Sequence, residues 1–351
     1  MDEAHNILVV SDLHLSEGLE PETGKTSRLE DFFRDDAFAR FLHHHEEIKH
    51  QPRFRGRPWL LILNGDIFDF LQVVSLPRDG RLLDMIKGSS DGEALTEHER
   101  TYGLGTTGLE SEWKLKQIAR GHQRFFAALG WFVAHGNRIA VVRGNHDVEL
   151  HWPEVQERFV TELKRAHVRQ WLREGGDHPT PLHTYRERVQ FHPWLYYEPN
   201  RIYVEHGCQY DALNRFEHVL NPVLPDDPRR IRLPWGSLFV RYLFTRIEDV
   251  HPFADNVKPL TRYLSWAFRR EPIKTLGVLA GRGWTFLRGL WFMVQKATSS
   301  ASQGPDDRIS VQADEDVPLP PAVVERIAAL ARRRVDSMWQ AWMGSLTQGL
   351  V

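Results

Sequence analysis

Ile7-Leu8-Val9-Val10-Ser11-Asp12-Leu13-His14 is the stretch that decides the fold. Four apolar residues are too few for a signal-peptide core, and a polar turn follows them at once. The run reads as a buried strand that delivers an aspartate and a histidine at its carboxyl end. Three other stretches repeat the pattern. Residues 59–63 lead into Asn64-Gly65-Asp66-Ile67-Phe68-Asp69. Residues 138–142 lead into Arg143-Gly144-Asn145-His146-Asp147, and 202–204 into Glu205-His206-Gly207.

Longer amphipathic stretches separate these runs. Residues 29–48 read as a helix, with Phe32, Phe33, Phe38, Phe41 and Leu42 at core-like spacing. Residues 110–133 read as a second helix and 153–173 as a third, with Pro153 suited to a first turn. Strands alternating with helices predict an α/β fold, a mostly parallel or mixed sheet covered by helices. Residues 76–108, rich in Gly, Ser, Thr and Asp, read as a loop insertion over one face.

Composition narrows the class. The 351 residues suggest about two domains and ample chain for a core. An apolar share of 41% with 26% charged residues describes an ordinary globular protein. The single cysteine excludes an internal disulfide and any cluster built on several thiolates. A net charge of −2 makes no global case for nucleic-acid binding. With 18 histidines, any metal site should use imidazole and carboxylate. No run of about 18 apolar residues suggests a membrane-spanning helix, so a cytoplasmic location is the expectation.

The chain changes character after the fourth strand. Residues 229–296 hold 13 Lys/Arg against 4 Asp/Glu, with Trp235, Trp266, Trp284 and Trp291. Pro252, Pro259 and Pro272 cut this span into short helices. The expected organisation is a core over 1–225, a basic aromatic helical insertion or cap over 226–297, a linker or disordered loop over 298–321, and a C-terminal helix over 322–351. Two readings of the basic segment stay open. It is a helical cap packed on the active site, or an interfacial surface that lies on anionic lipid. Nucleic acid is the weaker option, because the aromatics read as helix cores rather than stacking platforms.

Ligands in open α/β sheets gather outside the carboxyl ends of the strands, so the four polar clusters can converge. Carboxylates, an amide oxygen and imidazoles suit Mn, Fe or Zn. The order D-x-H, G-D-x-x-D, G-N-H-D and H-G resembles the calcineurin-like metallophosphoesterase family over roughly residues 1–210. That resemblance implies a four-layer αββα sandwich and two divalent metal ions. It implies that Asp12 and His14 bind the first ion, that Asp66 bridges both, and that Asn145 and His206 bind the second. A hydroxide between the ions would attack phosphorus in line with the leaving oxygen. His146 would protonate the leaving oxygen or stabilise charge there. Asp69 would orient His146 through its other ring nitrogen. Asp147 would be structural, and Cys208 has no necessary role. The implied substrate is a phosphomonoester or phosphodiester, amphiphilic if the basic segment faces lipid. Relatives that hydrolyse UDP-diacylglucosamine carry Arg where this chain has His146, which argues against transferring that activity.

Other histidines read as carrying no chemistry. His43, His44 and His45 are consecutive on a helix and point in different directions, so they read as a solvated face; His122 and His151 match no motif and read as structural. One departure stands out. The family pattern ends in a further G-H-x-H strand end, with one histidine for each metal, and this sequence has none. Either the chain stops before a closing strand, or it has diverged into a weakened member that acts as a binding module. The first is preferred, because the basic segment, the linker and the last helix look like an insertion ahead of a missing strand.

Overall fold

Successive side chains of a strand face opposite ways, so a strand that is apolar throughout must be covered on both faces. The second strand meets that demand residue by residue. Leu61 and Leu63 enter a large core with Phe125, Phe126, Phe132 and Phe159. Leu60 and Ile62 enter a separate one with Tyr196, Ile202 and Val204. This computed structural model describes residues 5–20, 23–87, 95–176, 180–211, 214–239, 241, 319–320, 322–327 and 329.

Four strands, β1 (Asn6–Val10), β2 (Trp59–Asn64), β3 (Arg138–Val142) and β4 (Val189–His192), form a parallel sheet in the order β1-β2-β3-β4. The register sets Leu8 beside Leu61 and Leu61 beside Ile139. The helices are α1 (Asp35–Ile48), α2 (Gly80–Lys87), α3 (Glu97–Tyr102), α4 (Gly108–Gly121), α5 (Gln123–Ala134), α6 (Pro153–Arg173), α7 (Leu182–Arg188) and α8 (Trp235–Phe239). Among them, α4, α5, α6 and α7 contribute to the large core on one face of the sheet. A hairpin of β5 (Leu195–Glu198) and β6 (Ile202–Glu205) covers the other face. The outer face of this hairpin, through Leu195 and Tyr197, packs on Phe216, Val219, Ile231 and Val324. The result is an α/β sandwich of helices, parallel sheet, second sheet and outer cover. Among the described residues the second sheet has two strands, and its cover is chiefly the irregular segment around 216–231.

All four strands read from the sequence are present; β4 and β5 are additions. Helix α6 has the expected bounds. Two other helices are shorter than the pattern suggests. Residues 29–34 precede α1, because the Glu30 carboxylate gathers backbone donors from Ser16, Gly18 and Phe32. The 110–133 stretch is two helices, broken at His122, whose φ of −115° and ψ of 45° are not helical. The 76–108 segment is not all loop: it contains α2 and α3, and Thr96 closes a capping box with Glu99 at the start of α3. The basic segment beyond 241, the linker to 318 and most of the last helix lie outside the described residues.

The helix break serves a buried network. His122 is 3% exposed, with Nδ1 2.9 Å from Asp35 Oδ1 and Nε2 3.0 Å from Glu30 Oε2. Burial alone would depress its pKa, but the two carboxylates reverse this and push it up to about 9. The folded value exceeds the unfolded 6.5, so this stabilisation is complete below about pH 6.5 and is lost as pH rises through about 9. The shift corresponds to at most about 3 kcal/mol. Thermal unfolding of the wild type should therefore weaken between pH 6 and 9.5. A His122→Gln variant should lack that component; an identical pH dependence in both proteins would refute the assignment.

Candidate active site

Beyond their strands, the β1 and β2 loops keep running side by side. Asp12 N donates to Gly65 O (3.1 Å), His14 N to Asp66 O (2.9 Å), and Leu15 N to Ile67 O (2.9 Å). Asp69 N returns the pairing to Leu15 O (2.8 Å). This ladder sets Asp12 and His14 alongside Asp66 and Asp69. Phe68, between the two carboxylates, is fully buried and packs on Phe126 and Phe159 at 5.8 and 5.7 Å. Burying such a ring contributes about 2 kcal/mol, which fastens the loop into the helical layer. Asp12, His14 and Asp66 adopt left-handed backbone, with φ of 55°, 53° and 51°.

Two glycines are required by close approach. A Cβ on Gly65 would lie 2.5 Å from the His206 ring, and one on Gly144 would lie 2.2 Å from Asp66 Oδ1. These contacts account for the glycine before Asp66 and the glycine before Asn145. The third loop is then bolted to the second. Asp147 accepts from Gly144 N (2.7 Å) and Ile67 N (2.9 Å), and His146 N donates to Asp66 Oδ1 (2.8 Å).

Six side chains from four strand ends meet here: Asp12, His14, Asp66, Asp69, His146 and His206. Two groups offer ligand atoms within 4.8 Å of one another, His14/Asp66/His146 and Asp12/Asp66/His206. Asp66 belongs to both. The grouping differs from the sequence pairing, which joins Asp12 to His14. His206 Nε2 is 3.1 Å from Asp66 Oδ2. His146 Nδ1–H donates to Asp69 Oδ2 (2.7 Å), and His14 Nδ1 lies 3.5 Å from that same oxygen. Asn145 is buried on the turn between Gly144 and His146.

Charge explains the protonation pattern. Burial pushes the Asp66 carboxyl up, but His146, His206 and His14 outweigh it and hold Asp66 well below the carboxylate range. Asp69 is held down in the same way by His146 and His14. In return, Asp66 pushes His206 up to about 9 against the effect of burial. Burial and the neighbouring Asp66 raise Asp147 to about 6. Imidazolium protons thus balance two buried carboxylates, and a divalent cation can supply the same positive charge by displacing those protons. The oxygen and imidazole donors fit such a cation, and Asp66 stands in both ligand-capable groups.

Some supporting residues were not read from the sequence. Asn64 accepts from His206 Nδ1–H at its carbonyl (3.1 Å), and its amide donates to Glu205 O (3.2 Å). This leaves Nε2 of His206 for the site. The only signal was its place directly before Gly65-Asp66. Ser237, on α8, donates to Asn145 O (3.2 Å), and nothing local marks it. Of the three consecutive histidines, only His44 is exposed; His43 lies against Trp131 at 3.7 Å and His45 packs on Phe41 and Trp59, so the expected solvated face is partly covered by aromatic rings.

A sandwich whose strand ends gather carboxylates and imidazoles around one shared aspartate defines a metal-binding hydrolase. The calcineurin-like phosphoesterase family model matches residues 5–279, and the chain belongs to that family of hydrolases acting on phosphate esters. The match continues past the last ordered motif into the basic segment. Comparison with curated proteins and with solved structures returned no match. Among the described residues, no helix is long and apolar enough to cross a membrane.

Proposed function

We propose that this chain hydrolyses a phosphomonoester or phosphodiester at a dinuclear centre held by Asp12, His14, Asp66, Asn145 and His206. The observation that carries the reading is the sharing of Asp66 by two ligand-capable groups. When bound, divalent cations supply a water nucleophile near neutral pH and neutralise charge on the reacting phosphoryl group.

The protein groups do the rest. Asp69 Oδ2 holds the Nδ1–H of His146, so a second proton on that ring must sit on Nε2. Protonated there, His146 is the acid for the leaving oxygen. Asp69 Oδ1 accepts from Leu71 N (3.0 Å) and Gln72 N (3.2 Å), so the carboxylate cannot swing away from His146. Asn64 fixes His206, and Asp147 fixes the loop that carries Asn145.

The test joins metal analysis to turnover. Purified protein should carry about two divalent cations per chain. With Mn²⁺ or Zn²⁺ it should hydrolyse phenyl phosphate or bis(p-nitrophenyl) phosphate. A protein that binds no metal and cleaves neither ester would instead be the weakened member acting as a binding module.

The basic, tryptophan-bearing span 229–296 supports a second partner, an anionic membrane surface at the cytoplasmic face, and with it an amphiphilic phosphate ester. Co-sedimentation with liposomes should rise with the fraction of anionic lipid and fall with salt. Binding that is indifferent to lipid charge would remove the membrane partner without touching the hydrolase reading.

A further inference from the structure

The chain that leaves His14 runs straight into the buried network around His122. Ser16 N donates to Glu30 Oε2 (3.1 Å), and Gly18 N donates to the same oxygen (2.7 Å). The Ser16 hydroxyl lies between that oxygen and Leu29 O, at 2.9 and 3.0 Å. His122 Nε2 approaches the oxygen from the far side at 3.0 Å. The other oxygen, Oε1, accepts from Phe32 N (2.8 Å). Ser16 is fully buried and Glu30 is 4% exposed.

The backbone is packed as tightly as the carboxylate. Leu19 N donates to Gly121 O (3.3 Å). A Cβ on Gly121 would lie 1.9 Å from Glu17 O, and one on Gly18 would lie 2.7 Å from the Gly121 carbonyl carbon. Residues 16–19 are therefore seated directly on the junction between α4 and α5.

This seat matters to the residue just before it. His14 is held in left-handed backbone, with φ of 53°, a conformation that persists where the surrounding chain over-determines it. On one side the ladder with Gly65–Ile67 fixes Asp12, His14 and Leu15. On the other side Ser16 and Gly18 are fixed, and both are fixed on Glu30. Asp69 N also donates to Leu15 O, so a shift of the outgoing chain would reach the Asp69 loop as well.

We propose that Glu30 is a positioning residue of the metal centre, which acts through Ser16 and Gly18 to fix the backbone from which His14 reaches its cation. The inference rests on the dinuclear reading and goes beyond it, because Glu30 stands outside both ligand-capable groups. A brace with only a structural role would change stability. A positioning brace on the His14 loop should in addition weaken one cation more than the other.

The experiment is a calorimetric titration of the metal-free full chain with Mn²⁺. Glu30→Ala should weaken one of the two Mn²⁺ ions about tenfold or more and leave the other within about twofold of wild type. Glu30→Gln keeps an oxygen for the Ser16 and Gly18 donors and should weaken that ion only about threefold; it decides the matter if Glu30→Ala does not fold. Tyr185→Phe is the control. It removes the hydroxyl 2.7 Å from His167 Nδ1, and should lower the unfolding temperature while leaving both Mn²⁺ affinities unchanged. Affinities within about twofold of wild type in every folded Glu30 variant, an equal loss at both ions, or a loss that Tyr185→Phe shares would make the brace purely structural. A wild type that binds no Mn²⁺ would overturn the metal centre itself, and the positioning role with it.

Discussion

Asp66→Asn should fold, lose bound metal, and turn over phosphate esters at least about 10³-fold more slowly. Asparagine has the shape of aspartate and keeps an oxygen to accept from His146 N. The fold therefore has little reason to change. What disappears is the charge that both ligand groups share and that His206 and His14 neutralise. Metal content per chain is the decisive readout, because it separates loss of the centre from loss of the acid. Circular dichroism checks the fold. Wild-type metal stoichiometry in the variant would show that Asp66 is not the shared ligand.

His146→Ala should behave in the opposite way. Metal content should stay at the wild-type level while kcat falls by about 10²–10⁴. The loss should depend on the leaving group. A p-nitrophenyl ester departs without much help from an acid, so it should suffer least, and an alkyl ester should suffer most. The variant should also lose the alkaline limb of the pH–rate profile that deprotonation of His146 produces. An equal loss for both esters, with the pH profile unchanged, would rule out the acid role and leave His146 as a charge stabiliser or a structural residue.

The four strands that carry the site were legible because each is a continuous apolar run that stops abruptly at Gly, Asp or Asn. Strands β4 and β5 were not. Val-Gln-Phe-His and Leu-Tyr-Tyr-Glu are short and partly polar, and what makes them strands is their pairing, β4 with the distant β3 and β5 with β6 across a hairpin. The break at His122 was hidden for a related reason. The 110–133 pattern is helical on its own terms, and only Glu30 and Asp35, more than 80 residues upstream, give the interruption a purpose. Within the site, the residues bearing the chemistry announced themselves by motif. Those that aim them did not: Ser237 reaches Asn145 from 92 positions away. The split of ligand atoms into His14/Asp66/His146 and Asp12/Asp66/His206 was equally out of reach, because motif order says nothing about which side chains cross between loops.

The left-handed backbone at Asp12, His14 and Asp66 has a consequence for how this sequence persists. A residue with a Cβ in that conformation costs roughly 1 kcal/mol relative to glycine, so three together cost a sizeable part of a typical domain's net stability of about 5–15 kcal/mol. Glycine would relieve that cost at each position, but it would also remove Asp12, His14 and Asp66 from the two ligand-capable groups. Stability and the capacity to bind a cation are therefore opposed at these three residues, and a glycine there should raise the first while it abolishes the second.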